Sequence, residues 1–344
     1  MRFGRVPVSE AAGLVTAHTV RAGGATLRKG HVVTPEMARQ MAAAGLDDLV
    51  AVRLDPGDVG EDAAARRLAE RLADRPGDGS LRVAEPFTGR CNLFAERAGV
   101  LLVERAAIDA VNAVDEAVTA ATLQPFRPVV AGEMVATVKV IPYAVAGDVL
   151  ERACAAVPAR ALRVAPYRLG RVGVVSTRLP GLKEGTIDRT LRVLAERLAP
   201  TGARIVADER VPHDPASLAD ALGGLSRAGA ELAVVFGASA IADRQDVIPA
   251  GIERAGGRVE HLGMPVDPGN LLLVGSLGAM PVIGAPGCAR SPKENGFDWV
   301  LHRLLAGLAV TRADIVALGV GGLLMEIVSR PQPRDGGEPD EADA

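Results

Sequence analysis

Residues 171–176 read RVGVVS, and two comparable apolar runs follow, ARIVA at 203–207 and ELAVVF at 231–236. Short, continuous, Val-rich runs bounded by turn residues are the pattern of parallel strands buried on both faces. After Ser176 come a polar loop and a helical pattern through Thr190, Leu191, Val193, Leu194 and Leu198. Asp214-Pro215 marks the start of a helix running from Ser217 to about Arg227, because Asp caps the first free amides and Pro has no amide to lose at the first helical position. Shorter strands are expected at LLLVG, ending at Gly275, and at MPVIGA, ending at Ala285. Phe297, Val300, Leu301, Leu304, Leu305 and Leu308 then share one face of a last helix. Strands alternating with helices through short loops predict an α/β fold with a doubly wound, mostly parallel sheet.

The first half of the chain is less regular. Short helices are expected at 9–14, at 35–44 with Thr34 as N-cap, at 62–73 and over about 108–122. LDDLVAV and EMVATVKVIPYAV read as β-rich segments. The expected organisation is a mixed α+β N-terminal domain over 1–165, an α/β domain over 166–330, and a disordered acidic tail over 331–344. The tail carries five acids against Arg334 and no apolar side chain larger than Ala, so it has nothing to bury.

Of 344 residues, 48% are hydrophobic and 24% charged, with a formal net charge of −3 and 3% aromatics. A weakly acidic chain lacks the basic footprint of a nucleic-acid binder, and so few rings leave little for base stacking. No apolar run reaches the ~18 residues of a membrane-spanning helix, and the N-terminus has no signal-like apolar core. Cys91, Cys154 and Cys288 form no CxxC and no Cys/His cluster. A cytoplasmic protein with neither nucleic-acid nor membrane partners is therefore expected.

Ligands of open parallel sheets sit at the carboxyl ends of the strands. Four loops fall there: Ser176-Thr177-Arg178; Gly237-Ala238-Ser239-Ala240 with Asp243 and Asp246 beyond it; Pro268-Gly269-Asn270; and Pro286-Gly287-Cys288-Ala289-Arg290-Ser291, followed by Lys293. Glycines admit close approach of a ligand to the backbone, and hydroxyls and free amides suit phosphate. Arg178, Arg290 and Lys293 are candidates for neutralising it. Asp243 and Asp246, three residues apart, are candidates for catalysis and for holding Mg²⁺ if they share a helical face; the plainer reading makes one an N-cap and leaves the other solvated. No loop is a Walker A or GxGxxG motif. The five histidines, His18, His31, His213, His261 and His302, show no metal-binding spacing and read as surface or packing residues.

Over about 171–308, the order of these loops resembles the molybdopterin-binding domain shared by molybdopterin molybdotransferase and adenylyltransferase. The family's Ser-Thr-Gly-Asp-Glu-Leu loop corresponds to Ser176-Thr177-Arg178-Leu179. Its Gly-Gly-Val/Ser-Ser loop corresponds to Gly237-Ala238-Ser239-Ala240, its Pro-Gly-Lys-Pro to Pro268-Gly269-Asn270-Leu271, and its Gly-Leu-Pro-Gly-Asn-Pro-x-Ser to 284–291. Residues 27–52 look like the segment preceding this domain in the molybdotransferase, separated here by an insertion. The run PGCARSPKENGFDWVLHRLLAG at 286–307 looks like a divergent branch of molybdopterin-binding proteins, some of which are fused to a cytidylyltransferase domain.

The resemblance implies binding of molybdopterin or molybdenum cofactor during cofactor maturation or delivery to a molybdoenzyme. Ser176, Thr177, Gly237, Ser239, Gly287 and Ser291 would hold phosphate or pterin, within a wider set that includes Ala238, Pro268, Gly269, Asn270, Pro286 and Cys288. It also implies a nucleotide as a further ligand, a separate cytidylyltransferase or molybdoenzyme as partner, and a homo-oligomer. The family's acidic first loop is Thr-Arg here, its Lys is Asn270, and its Asn-Pro is Cys288-Ala289. These departures make binding the leading expectation over catalysis. The alternatives are a Mg²⁺-dependent nucleotidyl- or molybdotransferase and a degenerate, non-catalytic module.

Overall fold

The computed structural model describes residues 1–73, 79–158 and 161–324. The expected acidic tail lies outside them. The described residues divide into two compact units, one drawn from 1–97 and 101–165, the other from 98–100 and 166–344.

In the first unit, the helix Glu61–Ala73 buries Ala64, Ala65, Leu68, Ala69 and Leu72 in the same core as Cys91, Leu93, Val118, Val135 and Val138. These last five come from an antiparallel sheet ordered Val118–Thr122, Met134–Val140, Arg90–Ala95, Leu81–Val83. A smaller core gathers Val8, Leu14, Leu27, Val33, Met41 and Leu49. Here the helix Pro35–Ala43 starts at Thr34, whose side chain accepts from the Met37 amide. One expectation is corrected: 108–122 is not a single helix. A helix covers Arg105–Asn112 and a strand covers Val118–Thr122. The Asn112 side chain donates to the Ala120 carbonyl at 2.9 Å and accepts from its amide at 2.8 Å. It thereby turns the chain back, while β-branched Val118 and Thr119 pair with Val140 and Lys139. The short helix expected at 9–14 is one 3₁₀ turn, Val8–Glu10.

The second unit is built on a six-stranded sheet. Its strands are β1 (Arg171–Arg178), β2 (Arg204–Pro212), β3 (Leu232–Phe236), β4 (Arg258–Leu262), β5 (Leu273–Leu277) and β6 (Met280–Ala285). The order is β2-β1-β3-β6-β5-β4. The first four run parallel, whereas β5 is antiparallel to both β6 and β4. β4, RVEHL, has little of the apolar continuity of the central strands and lies at the sheet edge.

Alternate residues of each strand face opposite ways, and the two cores divide accordingly. Val172, Val174, Leu232, Val234 and Phe236 pack with Leu194 and Leu198 of helix α1 (Glu184–Leu198). Val175, Ala233 and Val235 pack with Leu218, Leu222 and Leu225 of α2 (Pro215–Arg227) and with Ile248 and Ile252 of α3 (Val247–Arg254). Helix α4 (Gly296–Leu305) joins the first core through Phe297, Val300, Leu301, Leu304 and Leu305. Helices therefore cover both faces. Because β1, β2, β3 and β6 are parallel, their carboxyl ends share one edge. The turn from β4 into the antiparallel β5 brings 263–272 to that edge as well.

Candidate functional site

Thr177 and Ser176 sit at the end of β1 and point to opposite faces. Thr177 is buried, and its Oγ accepts a 2.9 Å bond from the Ala238 amide, tying the end of β1 to the loop after β3. The same Oγ lies 2.7 Å from His213 Nδ1, and His213 Nε2 lies 2.9 Å from Ser239 Oγ. His213 thus bridges a buried and an exposed hydroxyl. Ser176 Oγ is fully covered and has no hydrogen-bond partner among the described residues, so it is shielded from ligand in this arrangement.

His213 was missed by sequence reasoning, which read it as a surface or packing residue. The signal was present in the Asp214-Pro215 start of α2. Asp214 Oδ1 accepts from the Ala216 and Ser217 amides, and these bonds hold its carboxyl below the usual carboxylate range. A residue between the end of a parallel strand and such a cap must lie at the carboxyl edge of the sheet.

Gly237 is the pivot of the loop after β3. A Cβ there would lie 2.7 Å from the Ser239 carbonyl oxygen and 2.8 Å from Ile248. Its carbonyl accepts a 2.7 Å bond from Arg290, which also donates to Thr190 Oγ at 3.2 Å and lies over the Phe236 ring at 5.5 Å. Burial lowers the pKa of this guanidinium, but an Arg remains charged at neutral pH. Among the described residues it forms no ion pair. Arg290 therefore braces the Gly237 turn and leaves a positive charge without a carboxylate at the edge.

The loop after β6 is a 3₁₀ turn, Gly287–Arg290. Arg197 of α1 holds it by donating to the carbonyls of Ala289 (3.0 Å) and Ser291 (2.5 Å). Gly287 and Lys293 are exposed. Cys288 is half-buried, and burial raises its thiol pKa; a thiol held protonated is a poor nucleophile. Gly269 has φ +143°, and a Cβ on it would lie 3.0 Å from the Gly296 Cα. The Gly296 amide donates to the Pro268 carbonyl at 2.9 Å, joining this loop to the start of α4. Asn270 is exposed beside it.

Two expected roles meet competition. Arg178 is exposed and paired with Glu184 at 2.9 Å. The Asp243 and Asp246 carboxylates both bind backbone: Asp243 accepts from the Gln245 amide at 2.7 Å, and Asp246 caps α3 through Val247 (2.7 Å) while also accepting from Ala242 (3.1 Å). Among the described residues no group of three or more His, Cys, Asp or Glu side chains is placed to hold a metal ion. Asp243 is engaged through one carboxylate oxygen and Asp246 through both. No helix among them is long and apolar enough to cross a membrane.

Part of the chain is similar to two solved structures. The molybdopterin biosynthesis enzyme MoaB of Thermus thermophilus is 19% identical over 40% of this chain and 98% of its own, with a TM-score of 0.29. MogA is 16% identical over 40% of this chain and 90% of its own, with a TM-score of 0.25. No protein-family model and no curated protein matches the chain.

Proposed function

We propose that the carboxyl edge of the six-stranded sheet binds molybdopterin or the molybdenum cofactor, and that the protein acts in maturation of the cofactor or its delivery to a molybdoenzyme. The observation that carries this reading is the joining of the loops at that edge. Thr177 bonds Ala238, His213 bonds Ser239, and Arg290 bonds Gly237. The assembled edge presents an exposed hydroxyl, glycine backbone and an Arg with no carboxylate partner among the described residues. Such a surface suits the phosphate of a pterin ligand, and the loop order resembling the molybdopterin-binding family supplies the pterin half of the proposal.

Ser239, Gly287, Ser291, Asn270 and Lys293 are the residues proposed to meet the ligand, while Thr177, Gly237 and Arg290 hold the loops. Binding is favoured over transfer because both aspartates proposed for Mg²⁺ are engaged by backbone amides. A separate cytidylyltransferase or molybdoenzyme as recipient, and self-association, belong to the same proposal.

The test is anaerobic purification from a molybdopterin-producing host, oxidation of the released ligand, and measurement of pterin fluorescence per chain. Near-stoichiometric pterin is expected in the wild type. Much less is expected in Gly287→Trp, where the backbone has open space for the new side chain. Absence of pterin after addition of excess cofactor rejects the reading.

A further inference from the structure

We propose that His213 is a positioning residue of this edge, locked as the Nε2–H tautomer by Thr177, and that it aims the Ser239 hydroxyl proton outward at a bound oxyanion. The proposal rests on the reading of this edge as the phosphate end of the ligand site.

The tautomer follows from where each proton can go. Thr177 is 1% exposed, so its hydroxyl must find its partners within the protein. A hydroxyl has one proton to give and two lone pairs. One lone pair accepts the Ala238 amide at 2.9 Å. The other neighbour of Thr177 Oγ is His213 Nδ1, at 2.7 Å. Were Nδ1 protonated, Thr177 would accept twice and its own proton would be buried without an acceptor, which is costly. With Nδ1 bare, every group is satisfied: Ala238 N–H donates to Thr177, Thr177 O–H donates to Nδ1, and Nε2–H donates to Ser239 Oγ. Ser239 is exposed, and its proton is the last in the chain, left for solvent or ligand.

This arrangement does not make His213 a base for Ser239. It makes Ser239 a donor whose oxygen is already engaged, suited to a partner that only accepts. Two further observations agree in sign. The backbone amides of Ser239, Ala240 and Ile241 make no hydrogen bond among the described residues. Arg290, fixed on the Gly237 carbonyl two residues before Ser239, has no carboxylate partner among them. The Ser239 hydroxyl, these amides and the Arg290 charge favour an oxyanion such as a phosphate monoester, and the nearest carboxylate, Asp246, is turned to the Ala242 and Val247 amides.

The experiment uses the full chain with ¹⁵N-labelled histidine. Long-range ¹H–¹⁵N spectra, with the His213 signals assigned by their loss in His213→Gln, should show Nε2 protonated and Nδ1 bare. Thr177→Ser should keep that pattern and Thr177→Val should lose it. Protonated Nδ1 in the wild type overturns the proposal, whether or not pterin binds. Phenyl phosphate is then titrated by calorimetry, with circular dichroism confirming that each variant is folded. His213→Gln, whose amide N–H can replace the Nε2–H donor, should stay within a few fold of wild type, while His213→Leu and Ser239→Ala should weaken binding by about tenfold or more. Equal loss in Gln and Leu, or no binding in the wild type, also overturns it. Phenyl phosphate binding without pterin would reject the pterin reading and leave the role of His213 standing.

Discussion

Arg197 Nε and Asp298 Oδ1 are 2.5 Å apart, in an ion pair whose side chains are 8% and 12% exposed. The pair joins α1 to the first turn of α4. Asp298 also accepts from the Asn295 amide at 2.9 Å, closing a capping box with Asn295, and Arg197 reaches three carbonyls between Ala289 and Lys293. Two charges therefore set the path of the loop after β6. Removing one partner of a buried pair leaves the other uncompensated. Arg197→Met should cost about 3–5 kcal/mol in urea unfolding. The double variant Arg197→Met/Asp298→Asn should recover part of that loss, since Asn keeps an oxygen for the cap. A loss below about 1 kcal/mol, the range of surface pairs, would mean the pair is not buried in solution.

Gly269 offers a second test. Its φ of +143° and the 3.0 Å that would separate an added Cβ from the Gly296 backbone leave no place for a side chain. Gly269→Ala should destabilise the protein by about 1–3 kcal/mol and lower pterin content. Thermal unfolding alongside the fluorescence assay checks this; an unchanged melting temperature would count against the described loop.

The Asp246 carboxylate caps α3. Asp246→Asn keeps a capping oxygen and should leave stability and pterin content close to wild type, whereas Asp246→Ala should lose about 1 kcal/mol. If Asn abolishes ligand binding as completely as Ala, the carboxylate has a charge-dependent role and the Mg²⁺ expectation returns.

Stability should also depend on pH through His302. Burial lowers its pKa, outweighing the opposing pull of Asp298 and Glu294, and its Nδ1 is 2.8 Å from Tyr167 Oη. Below an ordinary histidine pKa of about 6.5, the unfolded chain binds a proton that the folded chain refuses. Folding stability should therefore be fully present above that pH and fall as pH drops toward the lowered native value. Urea unfolding from about pH 8 to about pH 5 should show a shallower loss in His302→Gln than in wild type. Parallel curves would assign the acid sensitivity to other groups.

Much of the second unit was legible in the chain itself. Within RVGVVS and ELAVVF, residues 172–175 and 232–236 are nonpolar and buried on both faces, so their reading as strands needs no tertiary context. Asp214-Pro215 and Thr34-Pro35 announce helix starts because the side-chain acceptor and the missing Pro amide are local chemistry. The break of 108–122 was not legible, since it depends on the Asn112 side chain meeting a strand backbone eight residues away. Nor was the edge strand β4, whose pairing with β5 substitutes for apolar character.

At the site the division follows the range of the interactions. The loops, their glycines and their hydroxyls were determined by sequence alone, because which loops follow which strands is a matter of order along the chain. Which of those groups face a ligand was decided only by tertiary structure. Ser176 and Thr177 are neighbours, yet strand alternation covers one and links the other to Ala238 and His213. Asp243 and Asp246 are close in sequence, yet the fold gives them different local tasks, one oxygen of Asp243 holding the Gln245 amide and both oxygens of Asp246 holding Ala242 and Val247. His213 was marked in sequence only by its position just before the Asp214-Pro215 helix start. Its place between Thr177 and Ser239 exists because β2, β1 and β3 end side by side, and its hydrogen bonds, at 2.7 and 2.9 Å, form only where the folded sheet brings those ends together.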